Sequence, residues 1–358
     1  MNEMIYIMNV NWNWIKQRPH FIAEQLKKDY NIIVLNQYRY NKKGFQNRNT
    51  ENYVVTFKVI PRIDRYFVLK WINLLLKKAV VKKIIKSKKP VILYLTSPEH
   101  IKWIPLNYAG KIIYDCMDDH YGLSRQKREK NRILNYELEI CKRANYIIVS
   151  SNYLINLLVK RYGISITNKT FLVRNGYDGQ ILNIDKIKYK KNERLILAYF
   201  GTISDWFDFD IICQSLKEFS EIEYLLIGPL HRNIKIPNHP RIKYYGTVEH
   251  NELYEITKSA DCFIMPFKLD EAIKAVDPVK LYEYINFYKN IICVQYDEIE
   301  RFSNFVYFYV NYKQYRDIIK ELINSNIVKY SNQARLKFLK ENTWEVRTNH
   351  IKKIINRN

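Results

Sequence analysis

The sequence has few glycines, and the glycine motifs that usually mark nucleotide sites are missing. Only nine glycines occur in 358 residues. None of them forms the G-x-G-x-x-G fingerprint of dinucleotide-binding folds or the P-loop of nucleotide triphosphatases. A phosphate site in this chain therefore cannot be predicted from glycine spacing alone.

Paired cysteines and long apolar runs are also absent. The five cysteines are odd in number and scattered, and no two have C-x-x-C spacing, which argues against a disulfide framework and against zinc. No uninterrupted apolar run is long enough to cross a bilayer. The first residues lack a basic segment and a small-residue cleavage site, so we expect no signal peptide and a cytoplasmic location.

Acidic residues are scarce in the first half of the chain. Residues 1–180 hold 32 Lys and Arg against 13 Asp and Glu, which places +19 of the net charge of +23 there. Such a field suggests an anionic partner: a nucleic acid, an anionic membrane or an acidic substrate. A compositional bias toward lysine explains the total charge, but it explains the asymmetry less well.

Residues 66–98 contain no acid at all. Within them, 66–89 reads as a long helix in which lysines alternate with apolar residues and one tryptophan, Trp71. This pattern is typical of a helix that lies on an anionic membrane surface. The alternative is a helix packed on a sheet with a solvated lysine face.

Predicted strands and helices alternate throughout, which indicates an α/β fold. A polar, lysine-rich stretch at 179–193 interrupts the pattern, which then restarts. We therefore predict two doubly wound, Rossmann-like domains, 1–185 and 186–342. Ligands of such sheets bind beyond the carboxyl ends of the strands, so we expect the two domains to face each other across a cleft.

The stretch 260–294 contains the strongest candidate site. It reads as a buried strand, a loop, a helix and a second strand. Asp277 is a candidate N-cap, and Pro278 is suited to the first helical position. Lys280 and Glu283 project from one face of the helix, whose N-terminus attracts anions. The alternative is an ordinary surface pair, which contributes a few tenths of a kcal/mol.

Three glycines of the second half directly follow predicted strands. Gly201 with Thr202, then Gly228, then Gly246 stand at these positions. Glycine there allows a backbone to approach a phosphate closely. Simple turn formation is the alternative.

These motifs, taken together, resemble those of GT-B glycosyltransferases of the group 1, family 4-like kind. The resemblance rests on 199–208, 226–229, 245–246 and 277–284 and covers about the whole second domain. It implies a nucleotide-sugar site in which Glu283 holds the ribose, with Lys280, Pro278 and the loops at Gly201, Thr202 and Gly228 near the diphosphate. The sequence departs from the family at Ala275, where members often carry a second acid, and the stereochemistry of transfer stays open.

Two further candidate sites lie in the first half. Trp12 and Trp14 stand beside Arg18 after the first strand. They suit stacking on a sugar, with Arg18 clamping a phosphate, or they pack the following helix. Asp118, Asp119 and His120 close another strand and suit proton transfer, or they cap a helix and form a turn.

The resemblance predicts a glycosyltransferase that moves a sugar from a nucleotide-sugar donor, with a UDP-sugar as first choice, to a glycan or lipid-linked acceptor. Bacterial-type cell-surface polysaccharide synthesis is the expected setting, with the enzyme cytoplasmic or peripheral on the inner face of the cell membrane. No cofactor, metal or nucleic acid is expected. By analogy with GT-B proteins, the C-terminal helix 343–358 packs back on the first domain. The alternatives are a non-catalytic polyanion-binding or nucleic-acid-binding protein and a sugar-nucleotide epimerase of the same architecture.

Overall fold

The structure, a computed structural model, describes residues 2–13, 16–39, 51–59, 67–87, 91–124, 126–184, 193–231 and 233–357. It divides into two compact units. The first comprises Met1–Asp178 with Thr343–Asn358, and the second comprises Gly179–Asn342. Each unit is an α/β sandwich with its own parallel sheet.

The sheet of the first unit has seven parallel strands in the order β3-β2-β1-β4-β5-β6-β7. Its strands are β1 (Glu3–Ile7), β2 (Asn31–Arg39), β3 (Val54–Val59), β4 (Val91–Leu95), β5 (Ile112–Cys116), β6 (Tyr146–Val149) and β7 (Thr170–Leu172). Its helices are α1 (Arg18–Leu26), α2 (Phe67–Ser87), α3 (His120–Leu123), α4 (Lys127–Arg143) and α5 (Asn152–Tyr162), with 3-10 turns at Pro98–Trp103 and Ile164–Lys169.

The second unit repeats this plan with six strands in the order β10-β9-β8-β11-β12-β13. Its strands are β8 (Leu195–Phe200), β9 (Ile222–Ile227), β10 (Ile242–Tyr244), β11 (Cys262–Met265), β12 (Asn290–Val294) and β13 (Tyr307–Tyr309). Its helices are α6 (Phe209–Glu218), α7 (His250–Thr257), α8 (Glu271–Lys274), α9 (Val279–Asn286), α10 (Tyr312–Asn324) and α11 (Asn332–Glu341), with a 3-10 turn at Asp297–Phe302.

The last helix, α12 (Trp344–Ile355), belongs to the first unit. Trp344 is buried and stacks on Phe21 of α1 at 5.1 Å between ring centroids. The chain reaches this position through a parallel bridge between Tyr177 and Thr343. The Thr343 side chain caps the helix by accepting a hydrogen bond from the Val346 amide. The aromatic stacking places this helix against α1, and the cap stabilises its N-terminus.

The central strands are buried on both faces, because helices cover both sides of each sheet. Every residue of β5 and β12 is buried. In both units the strand order reverses beside the first strand, between β1 and β4 and between β8 and β11. The predicted fold class of two doubly wound units is confirmed, and each reversal marks the crevice where such sheets bind ligands.

Among the described residues, no helix is long and apolar enough to cross a membrane. α2 has the length, but six lysines interrupt its apolar residues.

Candidate functional site

In the second unit, two glycine loops lie backbone to backbone at the crevice. Gly201 follows β8 and Gly228 follows β9, with φ angles of +140° and +130°. The Gly201 amide donates to the Ile227 carbonyl at 2.8 Å, and the Gly228 amide donates to the Gly246 carbonyl at 2.6 Å. A Cβ at Gly228 would lie 2.2 Å from the Gly201 carbonyl oxygen. Only glycine allows this approach.

Lys280 lies directly over the Gly201 loop. A Cβ at Gly201 would lie 1.9 Å from Cε of Lys280 and 2.8 Å from its Nζ. The ammonium is 6.0 Å from the centroid of the Tyr199 ring. Burial lowers the pKa of Lys280, and the neighbouring carboxylate of half-buried Glu283 opposes that shift. The loop therefore carries a partly desolvated cation, and this burial strengthens the electrostatic attraction of the ammonium for a bound anion.

The N-terminus of α9 brings Lys280 to this loop, and its cap differs from the predicted one. Pro278 is the N-cap and Val279 the first helical residue, with no side-chain cap on the helix. Asp277 is buried, pairs with Arg301 and accepts a hydrogen bond from the Tyr282 hydroxyl at 3.2 Å. The N-cap Pro278 supplies no side-chain acceptor, so the N-terminus of α9 suits an external anion.

Thr202 lies exposed on the same loop, next to the glycine backbone. The Tyr199 hydroxyl donates to the Thr202 carbonyl at 2.8 Å. Further along the same loop, the Asp208 amide donates to the carbonyl of Pro266, the residue that follows β11, at 2.8 Å. The structure thus brings together Gly201, Thr202, Gly228, Pro278, Lys280 and Glu283, the residues of the second half that the sequence placed in one site.

The second candidate site lies in the first unit, where Asp118, Asp119 and His120 follow β5. Asp119 is buried, and Arg161 binds its carboxylate at 2.9 Å. The same arginine pairs with Glu137 at 3.2 Å. This pairing engages the Asp119 carboxylate, and the proton-transfer role of Asp118, Asp119 and His120 stays a prediction.

Asp118 and His120 have the exposure and electrostatics that suit proton transfer. Both are half-buried. Burial raises the pKa of the Asp118 carboxyl, while His120 and Arg18 nearby oppose that rise. Nε2 of His120 is buried and has no hydrogen-bond partner in the described part of the chain. A carboxyl whose pKa is raised by burial can act as a general acid or base.

His100 belongs to the same region, but the sequence analysis missed it. It is fully buried, and neither ring nitrogen has a hydrogen-bond partner among the described residues. Its ring packs on Trp103 at 4.6 Å between centroids. Burial, with the charges of Lys77 and His120, lowers its pKa well below the usual range. The sequence signal that could have identified His100 is its position in the segment that follows the predicted strand β4.

Arg18 does not have the predicted phosphate-binding role, because its guanidinium is fully engaged inside the first unit. It is 4% exposed. Nε and Nη2 donate to the Asp115 carboxylate at 2.9–3.1 Å, and Nη1 donates to the Val173 carbonyl at 2.8 Å and to Asn175 at 3.1 Å. Asp115 also accepts from the Tyr94 hydroxyl at 3.0 Å. We assign Arg18 to the core of this unit.

We expect Arg18→Met to lower the free energy of unfolding by about 3–5 kcal/mol, because it leaves the Asp115 carboxylate buried without its charge partner. Calorimetry of the purified protein measures the loss. Lys16→Met is the matched control, since Lys16 pairs with Glu24 at the surface and such pairs contribute about 0–1 kcal/mol. Equal losses in the two variants would contradict the assignment of Arg18 to the core.

Of the two predicted sugar-stacking residues, Trp12 is described and Trp14 lies outside the described residues. The Trp12 ring is half-buried and lies 5.4 Å from His20 and 5.7 Å, edge to face, from Tyr53. The Trp12 amide donates to Asn36 at 3.0 Å. One part of the ring packs the unit and another part stays accessible, so both interpretations of Trp12 remain predictions.

Comparison with known proteins gives one curated relative. TuaH of Bacillus subtilis (strain 168), assigned as a teichuronic acid biosynthesis glycosyltransferase, is 26% identical over 220 residues. The match covers 56% of this chain and 54% of TuaH, so it spans about half of the relative's length. No protein-family model matches the sequence.

Solved structures match the whole chain. HepE of Anabaena in complex with UDP and glucose has a TM-score of 0.70 at 11% identity, over 100% of both chains. Sucrose-phosphate synthase of Thermosynechococcus elongatus has 0.69 at 11% identity, over 99% and 98%. The apo form of the lipopolysaccharide outer core galactosyltransferase WaaB has 0.67 at 12% identity, over 99% of both chains. These neighbours establish the GT-B fold for this chain.

Proposed function

We propose that this protein is a glycosyltransferase that takes a sugar from a nucleotide-sugar donor, a UDP-sugar by first choice. The observation that carries the proposal is the placement of Lys280 over the Gly201 loop at the N-terminus of α9, with Glu283 beside it. A helix N-terminus, a glycine loop and an ammonium form a site for a diphosphate. The carboxylate of Glu283 is an acceptor for the two hydroxyls of a ribose.

The similar proteins support this choice of ligand and reaction. The matched HepE structure contains UDP and glucose, and WaaB is a galactosyltransferase of lipopolysaccharide synthesis. TuaH is assigned to teichuronic acid synthesis. We therefore propose a glycan or lipid-linked acceptor in bacterial cell-surface polysaccharide synthesis, with the enzyme peripheral on the inner face of the cell membrane.

In the proposed reaction, a hydroxyl oxygen of the acceptor bonds to the anomeric carbon of the donor sugar. The bond from that carbon to the diphosphate oxygen breaks, and its electron pair stays on the leaving diphosphate. Lys280 and the amides of α9 stabilise the added negative charge. The acceptor proton passes to a base, for which Asp118 and His120 are the candidates. This chemistry needs no redox cofactor, and we propose none.

A thermal-shift panel of UDP, GDP, dTDP and CMP sugars tests donor binding. We expect a UDP-sugar to raise the Tm of the protein, because a ligand at a hundred times its Kd stabilises the folded state by about 2.7 kcal/mol. Glu283→Ala should weaken this ligand at least about tenfold, as expected for the loss of a hydrogen-bonded charged partner.

The control for Glu283→Ala is Glu255→Ala, which removes an exposed glutamate from α7 in the same unit. Its nucleotide response should match that of the wild type. A protein whose Tm responds to no nucleotide sugar would contradict the proposal, and a Glu283→Ala variant with unchanged affinity would contradict the ribose role.

A further inference from the structure

α2 buries polar side chains at the centre of its packed face. Asn73, Lys77 and Val81 form its buried line at four-residue spacing. Lys77 lies 4.5 Å from the centroid of the Trp103 ring and 3.8 Å from the Glu99 carboxylate. Two of the three buried residues are therefore polar, whereas a helix that packs on a sheet normally buries its apolar stripe.

Four large apolar residues of α2 are exposed to solvent, and six others are half-buried. Val68, Trp71, Leu75 and Leu76 are 63%, 57%, 43% and 47% exposed. The first three are spaced three and four residues apart, so they form one stripe along the first two turns of the helix. Exposed apolar residues at this density mark an interaction surface rather than scattered surface positions.

Toward the C-terminus of α2, lysines continue the exposed stripe. Lys78, Lys82 and Lys86 follow Leu75 at spacings of three, four and four residues, and all three are exposed. No acidic residue occurs in α2. The outward face of the helix thus changes from apolar at its N-terminal half to cationic at its C-terminal half.

The pattern of charges on this face favours a lipid surface over a protein as its binding partner. Lysine is depleted from the buried cores of protein interfaces, because its ammonium is costly to desolvate there. At a membrane surface the two halves of the stripe are compatible, since apolar side chains enter the headgroup boundary while lysines meet anionic lipid. A second copy of the chain would bring like charges together at this surface.

We propose that the outward face of α2, from Val68 to Lys86, docks on the anionic leaflet of a bilayer. Trp71 and Leu75 enter the interface, and the three lysines bind lipid headgroups. The proposal goes beyond the transferase reaction and uses none of the residues assigned to the donor. It is therefore tested separately from the donor chemistry.

The test is co-flotation of the full chain with vesicles of phosphatidylcholine alone or mixed with phosphatidylglycerol. We expect the protein to float only with the anionic vesicles and to be released by salt. The triple variant Lys78→Gln, Lys82→Gln, Lys86→Gln should partition about a hundredfold less, given the contribution of each lysine near an anionic leaflet. Trp71→Ser with Leu75→Ser should cost at least about tenfold.

Matched controls remove the same groups from other exposed positions of the first unit. The triple variant Lys28→Gln, Lys127→Gln, Lys160→Gln loses the same charge, and Leu106→Ser removes a leucine that is 86% exposed. Both should float like the wild type, and all α2 variants should keep the wild-type response to nucleotide sugars. The proposal would be overturned if the wild-type protein did not float with anionic vesicles. It would also be overturned if the α2 variants floated as well as the control variants. A concentration-dependent dimer that Trp71→Ser abolishes would overturn it too, because the face would then bind a second copy.

Discussion

Replacing Lys280 with methionine is expected to lower the kcat of sugar transfer at least about a hundredfold. Methionine is also a long, unbranched side chain that can lie over Gly201, but it lacks the positive charge. In the proposed reaction the leaving diphosphate gains negative charge as its bond to the sugar breaks, and the ammonium stabilises that charge. Removal of one such preorganised donor typically costs two to three orders of magnitude in kcat. Release of the nucleotide diphosphate under donor saturation measures the effect.

The control for this variant is Lys274→Met. Lys274 lies six residues earlier, at the end of α8, and pairs with Glu271 at 3.0 Å at the surface. Its loss should leave kcat within about twofold of the wild type, because an exposed pair contributes little. If Lys280→Met were as active as Lys274→Met at saturating donor, Lys280 would have no part in the reaction.

The pH profile gives a second readout for Lys280. Burial lowers the pKa of its ammonium, and Glu283 only partly restores it. As pH rises through that pKa, the charge is lost, so the kcat of the wild type should fall on the alkaline side. The Lys280→Met variant has no ammonium to lose and should lack this fall. A shared alkaline fall in both proteins would assign the titration to another group.

The grouping of the residues that we propose for the donor was predictable from the sequence because its signals are local. Gly201 and Gly228 stand directly after their strands, and Lys280 and Glu283 are three residues apart on one helix. The detail that failed there is the cap. Asp277 has the right residue type for an N-cap, but a distant arginine, Arg301, holds its carboxylate. Local propensity identifies a candidate cap, and tertiary pairing decides whether the side chain acts as one.

The errors in the first unit have the same origin in long-range contacts. Arg18 and Asp115 are 97 residues apart and meet only because β1 and β5 belong to one sheet. His100 packs on Trp103, and this contact has no periodic signal in the sequence. In α2 the lysines and apolar residues were evident, but only the structure tells which residues face outward. Candidate residues could thus be chosen from the sequence by their type, whereas their burial and their pairing partners could not be predicted from it.

Replacing Gly228 with alanine is expected to destabilise the second unit by roughly 4 kcal/mol. Its φ of +130° is strained for any residue with a Cβ, and the added methyl would lie 2.2 Å from the Gly201 carbonyl oxygen and 2.7 Å from the Gly201 carbonyl carbon. Both neighbours are backbone atoms of the adjacent loop, so they cannot rotate away as a side chain could. Strain at such a φ and overpacking each cost about 1–3 kcal/mol. Calorimetric unfolding measures the loss.

Gly246→Ala separates these two contributions, because Gly246 also follows a strand of the second unit. Its φ is +69°, but nothing lies within 4 Å of an added Cβ. The variant should therefore lose only the conformational part, about 1 kcal/mol. The difference between the variants measures the contact between the Gly201 and Gly228 loops, on which Lys280 rests. Relief of that contact in Gly228→Ala must move the Gly201 loop, so nucleotide-sugar binding should fall in Gly228→Ala and persist in Gly246→Ala. Equal losses of stability would mean that the loops do not need this approach.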